Sequence, residues 1–427
     1  MSCFTRTRLS LRIPEKILNG TDVCPGTTRR LSTIINAAAR DAPYFTPAQE
    51  PPAGTAKAPS DEAVSLFKPL TLRGMTMQNR IMVSPMCQYS AQDGHQTDWH
   101  MAHLSSFLMR GPGLTMVEAT AVEPQGRTTP EDTGLWKDSQ IEPLRRIVDF
   151  AHSQGQKIGI QLAHAGRKAS MVAPWLAFPP AISEVVAGGW PSEVIGPSSI
   201  SWSDRNAPVR AMDPEDIDRV RAAFRTSARR AVHAGVDAIE CHAAHGYLLH
   251  SFCSPLSNVR TDDFGGSFDN RTRLLRLVIE DLRAVMPTDM PLFVRISGSD
   301  GLEDTEFADR SWTPEDAVHL AQILAGLGVD LIDVSYGGSH VSQKVLQGDA
   351  NQAHFAHAIK QVVGDEVAVG TVGNITTASV AQAQIDKGLN VAVVGRQFLK
   401  DPNLVANWAK ELGVQIAQAH QLSWMIK

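Results

Sequence analysis

Two histidines and a tyrosine follow one apolar segment closely enough to act on a single small molecule. His242, His245 and Tyr247 come just after Val236–Ile239, a run that is typical of a buried strand. Side chains alternate between faces along a strand, so residues three apart point in opposite directions. His242 and His245 can therefore act together only if the strand ends between them and the chain turns. Two imidazoles and a phenol at one strand end suit polarising a carbonyl group and delivering a proton better than they suit binding a metal.

The composition narrows the class of protein. The chain has 427 residues, 43% of them hydrophobic, enough for one large domain or two ordinary ones. Its net charge of −5 gives no reason to expect a nucleic acid or an anionic membrane as partner, and no apolar run approaches the roughly 18 residues of a membrane helix. The five cysteines include no C-x-x-C pair, which argues against disulfides, an iron–sulfur cluster and structural zinc. We therefore expect a reducing compartment, the cytoplasm.

The first 60 residues differ in composition from the rest. Residues 1 to about 40 are rich in arginine, serine and threonine and poor in acidic residues. This composition is that of an organellar transit peptide, which would make the protein mitochondrial, but a disordered extension or a mis-assigned start is the favoured interpretation. Residues 41–60 are rich in proline and alanine, as extended arms and linkers are. We therefore divide the chain into an N-terminal extension or linker, 1–60, and one domain, 61–427.

From Leu66 onward, apolar strand-like runs alternate with helical patterns. Helix starts are marked at Asp213-Pro214-Glu215-Asp216 and at Thr313-Pro314-Glu315-Asp316, and Asp401-Pro402 repeats the first two features of this signal. The predicted strands are Arg80–Met86, Leu114–Val122, Lys157–Ala163, Val236–Cys241, Pro291–Ser297, Leu331–Ser335, Glu366–Val372 and Val391–Phe398. Such strands, apolar on both faces and each followed by a helix, predict a (β/α)8 TIM barrel. A doubly wound sheet is the alternative, but the first run lacks the glycine-rich turn that such a sheet normally carries.

In a barrel, chemistry takes place at the carboxyl ends of the strands, and the last two strands usually bind phosphate. Gly373 and Gly395 follow those two strands and would let backbone N–H groups approach a ligand closely. Arg396 adds a charged fork that suits phosphate. Taken one at a time, the two glycines are more simply explained as turn residues and Arg396 as part of a surface salt bridge. Their coincidence at strands seven and eight favours a phosphate site.

Other polar residues of the strand ends leave alternatives open. Arg295 lies in an otherwise apolar strand, so it either forms a structural ion pair or faces an electron-rich cofactor ring. Gln161 either reads the edge of a heterocycle or ties two strands together. Cys87 has no neighbouring base, which favours a packed residue or a cofactor modulator over a nucleophile of the His–Cys kind. Tyr89 and Tyr247 are two of only four tyrosines and both follow strands, which favours a functional role.

Together these residues resemble the old yellow enzyme family of FMN-dependent ene-reductases, from about residue 66 to residue 403. The motifs that carry the resemblance are Ser84-Pro85-Met86-Cys87-Gln88-Tyr89-Ser90, Thr97-Asp98-Trp99-His100, Glu118-Ala119-Thr120-Ala121-Val122, Gln161-Leu162-Ala163-His164-Ala165-Gly166-Arg167, His242-Ala243-Ala244-His245-Gly246-Tyr247-Leu248 and Ser254-Pro255-Leu256-Ser257-Asn258. The histidine motif followed by the Ser-Pro-Leu-Ser-Asn loop is highly specific. Cys87, Tyr89 and His245 resemble the thermophilic-like branch of the family.

The resemblance implies one FMN across the barrel mouth and no metal. It places Ser84, Pro85, Met86 and Cys87 along the flavin, Ala119 and Gln161 against the ring, Arg295 at its N1–C2 oxygen side, and Gly373, Gly395 and Arg396 at the phosphate. A cation at the position of Arg295 would stabilise the negative charge of reduced flavin.

The implied activity is that of an NADPH dehydrogenase with ping-pong kinetics. NADPH reduces FMN and leaves, and an α,β-unsaturated carbonyl compound then accepts the hydride at its β-carbon. His242 and His245 would donate hydrogen bonds to the carbonyl oxygen, with Tyr89 as a third donor. Tyr247 would protonate the α-carbon. The alternative on the same barrel is a redox-neutral isomerase or cyclisation enzyme of a biosynthetic pathway.

More distant alternatives are weaker. Relatives that reduce dienoyl-CoA or demethylate amines need an iron–sulfur cluster, for which clustered cysteines are missing. A metal-dependent lyase would have to use His242, His245 and His164, and a binding barrel would leave the tyrosines and histidines unexplained. A homo-oligomer is possible, although Gln421–Trp424 lacks the arginine with which some family members complete a neighbouring subunit's site.

Overall fold

The computed structural model describes residues 36–59, 62–177 and 181–424 of the chain. A compact unit begins at Ala38 and contains a closed barrel of eight strands. The possible transit peptide falls almost wholly within residues 1–35, outside the described residues. Among the helices of the described ranges, none is both long enough and apolar enough to span a membrane.

The barrel confirms the predicted TIM architecture. Its strands are β1 (Ile81–Val83), β2 (Leu114–Ala121), β3 (Ile158–Ala163), β4 (Ala238–Ala243), β5 (Leu292–Ser297), β6 (Leu331–Ser335), β7 (Ala368–Thr371) and β8 (Val391–Val394). Strands that are neighbours in the chain are neighbours in the barrel, and β8 pairs with β1 to close it. All pairings are parallel, so every carboxyl end opens on the same side.

The strand boundaries follow the sequence prediction closely except at β1 and β8. The predicted strand Val391–Phe398 was wrong beyond Val394, because Gly395 turns the backbone and a short helix starts at Arg396. The first strand also ends early, at Val83. Pro85 follows two residues later, and proline has no N–H with which to continue a strand ladder.

Helices follow the strands in the expected alternation. They are α1 (Asp98–Leu108), α2 (Ile141–Ser153), α3 (Pro214–Ala234), α4 (Leu248–Cys253), α5 (Phe268–Arg283), α6 (Pro314–Gly326), α7 (Ala353–Val363), α8 (Ala378–Asp386), α9 (Arg396–Lys400), α10 (Leu404–Glu411) and α11 (His420–Ser423). Asp213 and Thr313 cap α3 and α6 as predicted, each accepting a hydrogen bond from the N–H three residues on. The third signal, at Asp401-Pro402, starts no helix at that point, because α10 begins at Leu404 and Asp401 accepts the N–H of Asn403.

The amino-terminal half of the barrel interior is filled by apolar side chains. Met82, Met116, Phe293 and Val393 pack together there and are almost fully buried. A hairpin of Leu70–Leu72 and Met75–Met77 packs against the same cluster. The open space of the barrel is therefore left at the carboxyl ends of the strands, where the candidate residues lie.

The segment that precedes the barrel is hydrogen-bonded to the segment that follows it. Gly54 N–H donates to the carbonyl of Ala417, and Ala417 N–H donates to the carbonyl of Thr55. Gly54 has φ +86°, and a Cβ built on it would lie 1.9 Å from the carbonyl oxygen of Gly111. Only glycine fits this close approach. The boundary at residue 60 between extension and domain remains a prediction.

Candidate active site

The end of β4 brings His242, His245 and Tyr247 together. The strand ends at Ala243, and the chain then turns through His245 and Gly246, whose φ angles are +61° and +72°. The ring centroid of His242 lies 5.1 Å from that of His245 and 5.0 Å from that of Tyr247. The strand therefore ends between the two histidines, as the sequence argument requires. The left-handed conformation of His245, uncommon for a residue with a side chain, is a strain of the kind that gathers at functional sites.

Both imidazoles are neutral hydrogen-bonding groups. Burial lowers the pKa of each histidine well below its usual value, and the nearby Arg295 lowers both further. The backbone N–H of Ala244 donates to Nδ1 of His242 at 3.3 Å. Because Nδ1 accepts, the ring proton of neutral His242 is assigned to Nε2, where it is free to donate to a ligand.

His245 has a hydrogen-bond partner that the sequence reasoning did not assign. Its Nε2 lies 2.7 Å from the hydroxyl oxygen of Ser335, which in turn donates to Gln352 Oε1 at 3.4 Å. With that hydroxyl proton directed at Gln352, Ser335 accepts from His245. A ligand oxygen that binds Nε2 of His245 therefore has to replace Ser335.

Lys168 is a second residue that the sequence reasoning missed. Its ammonium nitrogen donates to the carbonyls of His245 and Gly338, each at 2.9 Å, and lies 4.9 Å from the centroid of the Tyr247 ring. Burial, with a smaller contribution from Arg167, lowers the pKa of Lys168 to about 7. Burial also raises the pKa of Tyr247, so this tyrosine is a protonated phenol. The signal in the sequence was a lysine in the loop directly after β3, next to Arg167.

Tyr89 reaches the mouth from the loop after β1. It also has a left-handed backbone, with φ +48°. Its ring meets Trp175 edge to face at 5.5 Å, and Trp175 is 65% exposed. Trp175 belongs to the long insertion after β3, so this insertion extends to the barrel mouth.

Cys87 is a thiol rather than a thiolate. Burial raises its pKa well above the usual value, and Asp132 and Glu118 raise it further. In the ranges that the structure covers, no histidine hydrogen-bonds to it. This environment does not suit nucleophilic attack, which requires the thiolate.

A cavity of about 310 Å³ lies at the carboxyl ends of β1 and of β4 to β8. Predicted residues that line it are Met86, His245, Arg295, Gly373, Gly395 and Arg396. Gly373 has φ +116°, and a Cβ there would lie 2.6 Å from the side chain of Gln352. Arg396 is exposed and forms no ion pair with any described residue, so the alternative of a surface salt bridge has no support.

Arg295 forms the structural ion pair of its first alternative, and it also borders the cavity. Its Nε and Nη2 donate to Asp333 Oδ2 at 2.8 and 2.5 Å, and Nη2 also donates to the hydroxyl of Ser84 at 3.0 Å. The same guanidinium lines the cavity. It is therefore a buried, ion-paired cation at the wall of the cavity, and a cofactor ring beside it stays a prediction.

The substrate candidates Tyr89, His242 and Tyr247 do not line this cavity, nor do the remaining cofactor candidates at the ends of β1, β2 and β3: Ser84, Pro85, Cys87, Ala119 and Gln161. Gln161 donates to Glu240 Oε1 at 2.7 Å, which ties β3 to β4. Ala119 follows a register shift in β2 and is the one partly exposed residue of that strand. Such a bulge re-aims side chains at a strand end.

The third histidine of the metal alternative has another partner. Nε2 of His164 lies 2.9 Å from Glu123, which also binds Arg219. Within the described residues, no group of three or more His, Cys, Asp or Glu side chains is arranged to hold a metal ion.

Comparisons with known proteins agree on one family. The model of the NADH:flavin oxidoreductase / NADH oxidase family matches residues 65–415. An NADH:flavin oxidoreductase of Gibberella zeae is 50% identical over 401 residues, covering 92% of this chain and 96% of that one. The NADPH dehydrogenase of Bacillus subtilis is 40% identical over 358 residues, covering 83% and 97%.

Solved structures agree with the architecture. The old yellow enzyme homologue from Zymomonas mobilis matches with a TM-score of 0.66 at 25% identity, over 82% of this chain and 94% of that one. Morphinone reductase matches with a TM-score of 0.66 at 23% identity, over 83% and 91%, which supports the fold alone.

Proposed function

Since the chain belongs to the NADH:flavin oxidoreductase / NADH oxidase family and is an FMN-dependent oxidoreductase of the old yellow enzyme type, we propose that it reduces activated C=C bonds. The proposed substrates are α,β-unsaturated carbonyl compounds, and the proposed kinetics are ping-pong with NADPH as reductant. The observation that carries the proposal is the cluster of two neutral imidazoles and one protonated phenol at the end of β4.

The residues of the barrel mouth fit FMN. The cavity is lined by a buried cation, Arg295, by the exposed Arg396, which forms no ion pair with a described residue, and by the backbone of Gly373. This arrangement suits an elongated ligand with a phosphate at one end. We assign the phosphate to Gly373, Gly395 and Arg396, and the ring to Ser84, Pro85, Met86, Cys87, Ala119, Gln161 and Arg295. When bound, FMN supplies the hydride relay between NADPH and the substrate.

The two histidines would bind the substrate's carbonyl oxygen. His242 offers Nε2–H without rearrangement, and His245 offers its own Nε2–H once the oxygen replaces Ser335. Neutral donors held by burial and hydrogen bonds stabilise negative charge as it develops on that oxygen. Tyr89 is placed on the loop after β1 as a third donor.

Tyr247 would donate the proton to the α-carbon. Its phenol is protonated because burial raises its pKa, and it packs against His242 at 5.0 Å. The acid therefore stands beside the group that holds the oxygen, on the same short turn. This arrangement lets one substrate contact both without motion of the backbone.

The test is product analysis on purified, flavin-loaded protein with enones, maleimides and nitroalkenes, each with NADPH, with NADH and without either. We expect saturated product, formed in a one-to-one ratio with oxidised NADPH. An isomerised or cyclised product that forms without a nicotinamide would instead support the redox-neutral alternative. The homo-oligomer stays a prediction.

A further inference from the structure

A layer of charged side chains crosses the barrel interior directly below the site. Glu240 on β4 and Asp333 on β6 are 0% exposed, and Arg295 on β5 between them is 4% exposed. Two carboxyl groups thus share one guanidinium in a place from which water is excluded. If both were ionised, the layer would hold an uncompensated negative charge, which burial strongly disfavours.

Two carboxyl oxygen atoms of the layer accept no hydrogen bond from a described residue. Glu240 Oε1 accepts from Gln161 at 2.7 Å, and Asp333 Oδ2 accepts twice from Arg295. Glu240 Oε2 and Asp333 Oδ1 are buried and have no partner among the described residues. Carboxylate oxygens only accept, so two ionised groups could not satisfy these atoms, whereas a single added proton could satisfy both.

We propose that Glu240 is a neutral carboxylic acid whose Oε2–H donates to Asp333 Oδ1, and that this pair holds Arg295 in position. Asp333 is the ionised member, because its oxygen lies 2.8 Å from Nε of Arg295 whereas that of Glu240 lies 3.8 Å away. Glu240 and Asp333 are positioning residues, since they act on the cavity through Arg295.

The electrostatics of the layer support this assignment. Burial is the main cause that raises the pKa of Glu240 to about 8, against the lowering effect of Arg295, and Asp333 raises it further through its charge and a hydrogen bond. The layer then carries one positive and one negative charge. The effect of the layer on the flavin potential rests on the proposed function. The charge of Asp333 alone should set how strongly Arg295 stabilises reduced flavin.

Infrared spectroscopy tests the protonation directly. At pH 7 the holoenzyme should show the C=O stretch of a protonated carboxyl group, and Glu240→Gln should remove it. Glu118→Gln is the matched control, because Glu118 is also buried but accepts the N–H of Gln88 and lies 3.6 Å from His100. We expect no acid band to disappear in that control. An unchanged acid region in Glu240→Gln would overturn the proposal.

If Glu240→Gln does not fold, the wild-type protein still gives an answer. Carbon-13 at the glutamate side-chain carboxyl should shift the acid band to lower frequency. A spectrum without any glutamate-dependent acid band would overturn the proposal. These measurements detect the proton whether or not the protein reduces alkenes, so failure of the proposed function would be distinguishable.

The midpoint potential of bound FMN tests the positioning role. Glu240→Gln replaces a neutral group by a neutral group and should leave the potential unchanged. Adding Asp333→Asn to Glu240→Gln removes the one negative charge of the layer and should raise the potential, whereas Asp333→Asn alone would let Glu240 ionise in its place. An equal rise in Glu240→Gln and in the double variant would show that Glu240 is ionised and would overturn the proposal, as would a potential that neither variant changes.

Discussion

The ammonium nitrogen of Lys168 lies 4.9 Å from the centroid of the Tyr247 ring while it donates a hydrogen bond to the carbonyl of His245. One half-buried lysine thus contacts the proposed acid and the backbone of a proposed oxygen-binding residue. This relationship links the protonation of Lys168 to the chemistry of the site.

The pH dependence of alkene reduction should report Lys168. Its pKa, lowered by burial to about 7, means that the ammonium form predominates below neutral pH and is lost above it. A nearby positive charge favours the phenolate product of proton transfer and so makes Tyr247 a stronger acid. The rate should therefore fall as pH rises through about 7, and Lys168→Met should flatten this step. Rates of alkene reduction measured between pH 5.5 and 9, roughly bracketing that pKa, check this prediction. Identical pH profiles for the wild type and Lys168→Met would contradict it.

Replacing Tyr247 by phenylalanine should separate the two half-reactions. Flavin content and flavin reduction by NADPH should remain, while alkene reduction should slow by about 10²–10⁴-fold, the usual contribution of a general acid. Stopped-flow measurement of each half-reaction gives both rates. If alkene reduction keeps the wild-type rate, Tyr247 is not the acid.

Removing both imidazoles should weaken the binding of phenolic ligands. Hydrogen bonds to a charged oxygen contribute about 1.5–3 kcal/mol each, so His242→Ala with His245→Ala should raise Kd by two or more orders of magnitude. The charge-transfer band that a phenolate produces with bound flavin measures the binding. Ser335→Ala is the control, because it frees Nε2 of His245 and should leave binding equal or tighter. A band that persists in the double variant would remove the histidines from the anion site.

Gly373→Ala should release FMN. A Cβ at that position would approach the Gln352 side chain to 2.6 Å, where we place the phosphate. Gly388 provides the matched control, because its φ is also positive, +101°, and nothing lies within 4 Å of an added Cβ. Gly388→Ala should lose about 1–2 kcal/mol of stability and keep its flavin. Flavin absorbance per protein after gel filtration distinguishes the two; equal retention would move the phosphate elsewhere.

Shortening Trp175 should change which substrates are accepted. Its ring contacts Tyr89 at 5.5 Å and forms part of the rim of the mouth. We expect Trp175→Ala to raise kcat/KM for bulky enones relative to small ones by about 10-fold, in the range of pocket-size effects. Trp424→Ala removes an indole that is also exposed, at the C-terminal end, and should leave the ratio unchanged. Equal effects of the two variants would exclude Trp175 from specificity.

The barrel could be predicted from the sequence because the pattern of buried strands is local. Asp213 and Thr313 likewise act within three residues of themselves, and their caps were predicted correctly. The end of β8 was predicted wrongly, because Gly395 ends the strand within an apolar run that continues to Phe398.

The contacts that the sequence did not predict join distant parts of the chain. Lys168 binds the carbonyl of Gly338, 170 positions away, and Arg295 binds Ser84, 211 positions away. A buried arginine predicts that some acidic partner exists, but only the barrel register selects Asp333.

The bonds between Gly54–Thr55 and Ala417 bear on how this protein should be shortened for study. Composition alone suggests starting a trimmed version at residue 61. That cut would leave the N–H and carbonyl of Ala417 without their partners and uncover the side chain of Asn79, which donates to the carbonyl of Gly54. A trimmed version that starts at Ala38 keeps the hydrogen bonds between Gly54–Thr55 and Ala417 and is the better choice for crystallisation.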